Sequence, residues 1–468
     1  MRRIVFFLFA LGLFAFEASS KIKLPPLIAD HMVLQQRSNV ALWGWASKSS
    51  NVIITSSWNK KVYKIKSDAN GAWNVKVETP GAGGPYSITM NDGTPLIIKD
   101  ILIGEVWLCS GQSNMEMPMK GFKNQPVMNS NDLLIDANSS AVRLIRFERA
   151  ASMNPEDTAT NTGWQLSNAE SVKEFSAVGY QFAKLLQQQL KVRVGIIGTY
   201  SAGTKVQAWM SKESLQSISQ IKIPADTTGS NKNTPTALFN AMLRPLVGYG
   251  IKGVLWYQGE QNRPNPEIYD QLLAAMVKDW RDRWQMGEWP FYYVQIAPYR
   301  YNDKLGPSAP LREAQARALD LIPNSGMAVS MDVGEERSIH PPDKTTIAKR
   351  LLCWALAETY GYKGLAYESP AYQSMQRNHD TVSIRFKNAV NGLTSFGKTI
   401  NAFELAGEDK KFYPATAWIT GEGIRLKSEQ VKQPVAVRYA YKDWIIGDVY
   451  NTEGLPLTPF RTDTWNNQ

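Results

Sequence analysis

Between about residues 101 and 360 the chain alternates short apolar runs with longer amphipathic stretches, and this rhythm constrains its fold more than any other feature. The apolar runs lie at 105–110, 142–147, 192–198, 253–258, 291–296 and 326–332. Between them, 177–190, 235–247, 266–284, 310–321 and 345–360 have helical length. Parallel strands need crossover connections, and a helix supplies one, so the expected core is an α/β domain with a parallel sheet. In 266–284 the residues Tyr269, Leu272, Leu273, Met276, Trp280 and Trp284 recur at helical spacing. They read as core packing rather than as a ligand box.

The flanks have a different period. Residues 21–100 carry strand-like runs such as Asn51-Val52-Ile53-Ile54-Thr55, with Asn70-Gly71 and Asp92-Gly93 as hairpin-turn pairs. After about residue 370 the helical signal ends, and Asp380-Thr381-Val382-Ser383-Ile384-Arg385-Phe386 alternates as a half-buried strand does. The expected partition is therefore 1–20, a 21–100 β module, a 101–369 α/β domain and a 370–468 β region. At 468 residues, two or three domains are the prior.

Residues 1–20 open with Met1-Arg2-Arg3, continue as an apolar run from Ile4 to Phe16 and end on Ala18-Ser19-Ser20. A basic head, a short apolar run and small residues mark a secretory signal peptide. The run falls short of the roughly 20 residues a spanning helix needs. The expected location is periplasmic or extracellular, with no stable membrane span. The net charge is +10, but the basic residues are interspersed, which argues against a nucleic-acid partner. A basic surface also suits an acidic glycan, and fifteen Trp suit both a core and sugar platforms. The two cysteines, Cys109 and Cys353, lie in apolar surroundings and read as buried free thiols. Alone they cannot form a four-ligand zinc site.

Sites in open α/β sheets form beyond the carboxyl ends of the strands. After the run ending at Cys109 comes Ser110-Gly111-Gln112-Ser113-Asn114-Met115. A serine there presents its hydroxyl at the sheet edge, and it is equally a favoured helix cap. As a nucleophile it needs a base, and the chain holds only His31, His340 and His379. His31 and His379 fall in the flanking β regions. His340 follows the run ending at Asp332, on the same sheet edge as Ser113. Two more turns at that edge, around Ser201-Ala202-Gly203-Thr204 and Gln258-Gly259-Glu260-Gln261-Asn262, offer donors for an oxyanion.

The segments Ser110-Gly111-Gln112-Ser113-Asn114-Met115, Phe175-Ser176-Ala177-Val178-Gly179-Tyr180, Trp256-Tyr257-Gln258-Gly259-Glu260 and Ile339-His340-Pro341 occur in this order. Together they resemble the sialate O-acetylesterase family, relatives of the SGNH hydrolases. The resemblance implies a three-layer SGNH-like domain and an esterase acting on an O-acetylated sugar or glycan, without metal or cofactor. It implies Ser113 as nucleophile and His340 as base, with an oxyanion hole from the N–H groups of Ser113 and Gly203 and the Gln258 side chain. Many SGNH hydrolases carry an Asp three residues before the His, where this chain has Arg337. Asp332 is the favoured replacement, with Glu335, Glu336, a backbone carbonyl or a bare Ser–His dyad as alternatives. Ala202-Gly203 stands where a Gly-Gly pair is common, and Gln261 where Ser is common.

The rival substrate among esterases is acetylxylan or another O-acetylated polysaccharide. A glycosidase built on Glu105, Glu116, Glu260 or Asp332 leaves Ser113 and His340 without a role. A non-catalytic glycan-binding protein would place its affinity in surface Trp and Tyr. Oligomeric state is not legible.

Overall fold

The computed structural model describes residues 22–224 and 231–465. The expected signal peptide at 1–20 lies outside the described residues. The centre is a sheet with β1 (Pro95–Gly111) in the middle. The later strands are β2 (Ser139–Arg146), β3 (Gln165–Ser167), β4 (Val194–Tyr200), β5 (Gly253–Tyr257), β6 (Phe291–Val294) and β7 (Ser325–Ala328). Their order is β7-β6-β5-β1-β4-β2-β3. All neighbours are parallel except the edge strand β3, which runs against β2.

Successive strand residues point to opposite faces, so each strand contributes to two cores. Val106, Leu108, Val254, Trp256, Phe291 and Tyr293 join one apolar cluster. Trp107, Cys109, Leu255, Tyr257, Tyr292 and Val294 join the other. On the first face pack Tyr269–Trp284 and Ala309–Leu321. On the second pack Ala177–Leu190 and Lys344–Trp354. This is the expected three-layer arrangement, and covering both faces explains why residues 101–111 are buried without alternation. Tyr269, Leu272, Leu273, Met276, Trp280 and Trp284 are all in the core.

Three expectations change. Residues 235–247 do not form an α-helix. The stretch is helical, but it winds as a π-helix at Phe239–Leu243 and a 3-10 helix at Arg244–Leu246, where Pro245 sits in the first turn and loses no helical bond there. Asn70-Gly71 does form a turn, but between strands of different sheets: Val62–Lys66 pairs with Asn51–Ser56, and Ala72–Glu78 with Asn39–Trp45. Asp92-Gly93 closes a true hairpin between Gly83–Asn91 and β1. Finally, β1 runs straight through the expected boundary at residue 100, bending where Asp100 takes φ 52°. Its first half pairs with the amino-terminal strands and its second half centres the parallel sheet. After residue 370 come two four-stranded antiparallel sheets and a two-stranded one that pairs Leu393–Thr394 with Tyr450–Asn451.

Candidate active site

β1 ends at Gly111, level with Tyr200 of β4 on one side and Tyr257 of β5 on the other. The loops leaving these strands therefore open at one edge, the carboxyl end of the parallel sheet. Gly111 has φ 136°, and a Cβ there would lie 2.3 Å from the Tyr257 carbonyl oxygen, so the turn requires glycine. The extended Gln112 donates its N–H to that same carbonyl at 2.9 Å. Ser113 then begins a short helix, α1 (Ser113–Glu116). The N-cap position belongs to Gln112, so Ser113 is not the cap that its residue type alone allowed. Its N–H is a first-turn donor without a carbonyl four residues back, and it has no hydrogen-bond partner among the described residues.

Asn114 ties this turn to the histidine loop. Its Nδ2 donates to the Ile339 carbonyl at 3.0 Å and to Glu260 Oε1 at 2.7 Å. Its Oδ1 accepts from Lys344 Nζ at 2.7 Å. The neighbours of Ser113 and His340 are thus joined directly, with a buried carboxylate and a buried ammonium bridged by the same amide. Burial raises the Glu260 carboxyl above its ordinary value, against the pull of Asn114 and Lys344. Burial likewise lowers the Lys344 ammonium to about 7. Ser176, in the Phe175–Tyr180 motif, caps the helix behind this turn through Gly179 N–H at 3.0 Å.

His340 is half-buried, with the Phe122 ring edge-on at 5.1 Å and Gln125 Oε1 on its Nδ1. Burial, and then the charge of Lys344, lower its imidazole to about 4. It is therefore neutral at physiological pH, the form that accepts a proton. The expectation that Asp332 orients His340 is corrected by the geometry. Both Asp332 oxygens accept from Arg350, each at 2.7 Å, with Arg350 buried and Asp332 partly so. Glu335 and Arg337 are exposed, and Glu336 pairs with Arg300. His31 binds Asp100 at 2.6 Å beside Arg143, at the bend in β1. His379 sits in a turn with φ 55° between Ala371–Asn378 and Thr381–Lys387.

The loop after β4 is held from several sides. Ser201 N–H donates to Gly111 O at 3.0 Å and Ala202 N–H to Glu116 Oε2 at 2.6 Å. Asn233 Nδ2 donates to Gly203 O at 2.9 Å. Gly203, at φ 67°, keeps an N–H with no partner among the described residues. Gln258 departs from expectation. Its Nε2 donates to Thr204 O at 2.8 Å and Asn262 Oδ1 at 2.7 Å, and its Oε1 accepts from Tyr269 at 3.0 Å. Fully buried with both amide hydrogens committed, it has no donor for an oxyanion. Asn262 extends this buttress to Gln207 at 2.9 Å and Val206 N–H at 2.9 Å. Cys109 is a buried free thiol as expected, whereas Cys353, also free, is half-buried. No cluster of three or more His, Cys, Asp or Glu suited to a metal occurs among the described residues.

Gln125 and Lys344 were not visible as site residues in the sequence. Neither belongs to a motif, and only packing brings them to the turn. Asn114 and Glu260 lie inside the two motifs, and their adjacency to Ser113 and Gln258 was the available signal.

The profile of a family described as carbohydrate esterase, sialic acid-specific acetylesterase, matches residues 103–360. The sialate O-acetylesterase of Homo sapiens is 29% identical over 461 residues, covering 89% of this chain and 87% of that protein. The Mus musculus sialate O-acetylesterase is 27% identical over 508 residues, covering 92% and 93%. Among solved structures, a carbohydrate acetylesterase from Xanthomonas citri superposes with a TM-score of 0.86 at 34% identity, covering 95% of this chain and 100% of its own.

Proposed function

Because the chain belongs to the sialic acid-specific acetylesterase family of carbohydrate esterases, and is therefore a carboxylic-ester hydrolase, we propose that it removes O-acetyl groups from sialic acids with Ser113 and His340. The observation that carries this reading is the 3.0 Å bond from Asn114 to the Ile339 carbonyl, which joins the serine turn to the histidine loop. The sugar class rests on the family description and on the names of the two mammalian relatives.

In this mechanism neutral His340 takes the Ser113 proton as Oγ attacks the acetyl carbonyl. The N–H groups of Ser113 and Gly203 hold the resulting oxyanion, and removing such a donor costs about 2.7–4 kcal/mol in other hydrolases. Collapse expels the sugar alkoxide, which takes the proton from His340. Water, deprotonated by the same imidazole, then attacks the acetyl-serine; collapse breaks the bond to Ser113 Oγ, which takes the proton back from His340, and acetate is released. Asp332 and Gln258 act through the scaffold rather than on the substrate.

Acetate release from a panel of O-acetylated sialic acids and acetylated xylan tests substrate and nucleophile together. Wild-type protein should turn over the sialic acids faster, and Ser113→Ala should abolish release while retaining the native circular dichroism spectrum. Faster release from xylan would replace the substrate, and turnover by Ser113→Ala would remove the nucleophile. Export belongs to the same proposal. It rests on the basic head and apolar run of residues 1–20, and amino-terminal sequencing of protein from the periplasm or medium tests it.

A further inference from the structure

In a Ser-His-acid triad the imidazole is oriented by a carboxylate on its Nδ1 side. Among the described residues no carboxylate bonds the His340 ring: its Nδ1 meets Gln125 Oε1, while Asp332 pairs with Arg350 and Glu336 with Arg300. We propose that Gln125 is the positioning residue of this base. Its Oε1 accepts the Nδ1–H of His340, which selects the tautomer whose Nε2 is free to take the serine proton. This rests on the assignment of Ser113 and His340 made above.

The element carrying Gln125 is built to hold that geometry. Phe122 and Gln125 exchange both backbone hydrogen bonds at 3.0 Å, which closes a tight turn. A Cβ on Gly121 would lie 2.4 Å from the Gln125 carbonyl oxygen, and Gly121 has φ 78°, so only glycine admits this turn. Phe122 covers the imidazole from its side while Gln125 bonds its Nδ1, so one hairpin contacts the ring twice. Beyond the hairpin, Met128 N–H donates to the Pro342 carbonyl at 3.0 Å, two residues after His340.

The choice of an amide has a chemical consequence. A carboxylate orients the ring and also stabilises the imidazolium, whereas a neutral amide orients it without adding charge. The charged group bearing on the imidazole is Lys344, on the helix that follows the histidine loop, with Glu260 behind Asn114 from the loop after β5. Both stay in place when Gln125 is replaced by Glu, so that substitution isolates the effect of charge at Nδ1.

The test is the pH dependence of kcat/KM for an aryl acetate in wild type, Gln125→Met, Gln125→Glu and His340→Ala, with thermal midpoints to confirm folding. Gln125→Met should lower kcat by roughly tenfold or more with KM little changed, since general-base catalysis is lost with the tautomer. Gln125→Glu should stay active and move the acidic limb upward by about one to three pH units. Wild-type kcat in Gln125→Met, or an unmoved limb in folded Gln125→Glu, overturns the proposal even when His340→Ala is inactive. Full activity in His340→Ala would overturn the underlying reading instead. Should Gln125→Met fail to fold, the limb of Gln125→Glu decides alone. Should neither fold, the hairpin serves stability and the positioning role is refuted.

Discussion

His340 and Lys344 share one loop-and-helix segment, and burial pushes both toward their neutral forms, to about 4 and about 7. Protonated His340 cannot act as base, so kcat/KM should stay flat as pH falls from neutrality and drop only near 4. Histidine NMR checks this directly: the resonance missing in His340→Gln should still report a neutral ring at pH 5.5. Lys344 predicts a stability trend. An unfolded lysine titrates near 10.5, so between about 7 and 10.5 the unfolded chain binds the extra proton. Stability should therefore rise with pH across that window, and Lys344→Met should lose this slope in urea titrations. Ser113 and His340 were singled out in the sequence because three histidines left one candidate at the right sheet edge, and the structure links their neighbours through Asn114. Gln125 and Lys344 were not, because an amide 215 positions from its partner and a lysine at a helix start carry no local signature.

The elements show why Asp332 was the wrong acid to favour. It follows β7 at the correct sheet edge, but Arg350, on Lys344–Trp354, reaches back to take both oxygens. Removing one partner of a fully buried pair typically costs roughly 3–5 kcal/mol, which bounds the cost from above for the partly buried Asp332. Asp332→Asn should therefore lower the thermal midpoint by several degrees while the folded fraction keeps its pH profile. A displaced acidic limb in that variant would return Asp332 to the catalytic apparatus. Helix Ala177–Leu190 matched its sequence bounds because a Ser cap and an apolar stripe agree on them. Residues 235–247 are helical as read, but as a π turn at Phe239–Leu243 and a 3-10 turn at Arg244–Leu246, a winding that helical composition does not report. The resemblance implied Gln258 as a donor, but a motif does not report that its amide hydrogens are already committed to Thr204 and Asn262.

On the scale of the molecule, the expected division at residue 100 cuts a continuous strand. One apolar cluster runs from Ile22 through the central sheet to Phe460. The carboxyl-terminal region also grips the loop that leads to His340, at Met331, and the helix Ala309–Leu321, at Ser308 and Glu313. Gly447 N–H donates to Met331 O at 2.9 Å, Ser308 Oγ to Asp443 at 2.9 Å, and Glu313 accepts from Tyr441 at 2.8 Å and Arg461 at 3.0 Å. A shared core predicts one cooperative thermal transition, with tryptophan fluorescence and residual esterase activity lost together. Two separated transitions would show that the flanking β regions fold independently of the site.

The central claim is that Ser113 is the nucleophile, and labelling with a fluorophosphonate followed by peptide mass spectrometry tests it most directly. The account predicts one adduct, on the peptide carrying Ser113, accumulating in proportion to the loss of acetate release and strongly slowed in His340→Ala. Inactivation with the adduct on another residue, or acetate release persisting once Ser113 is fully labelled, would contradict it.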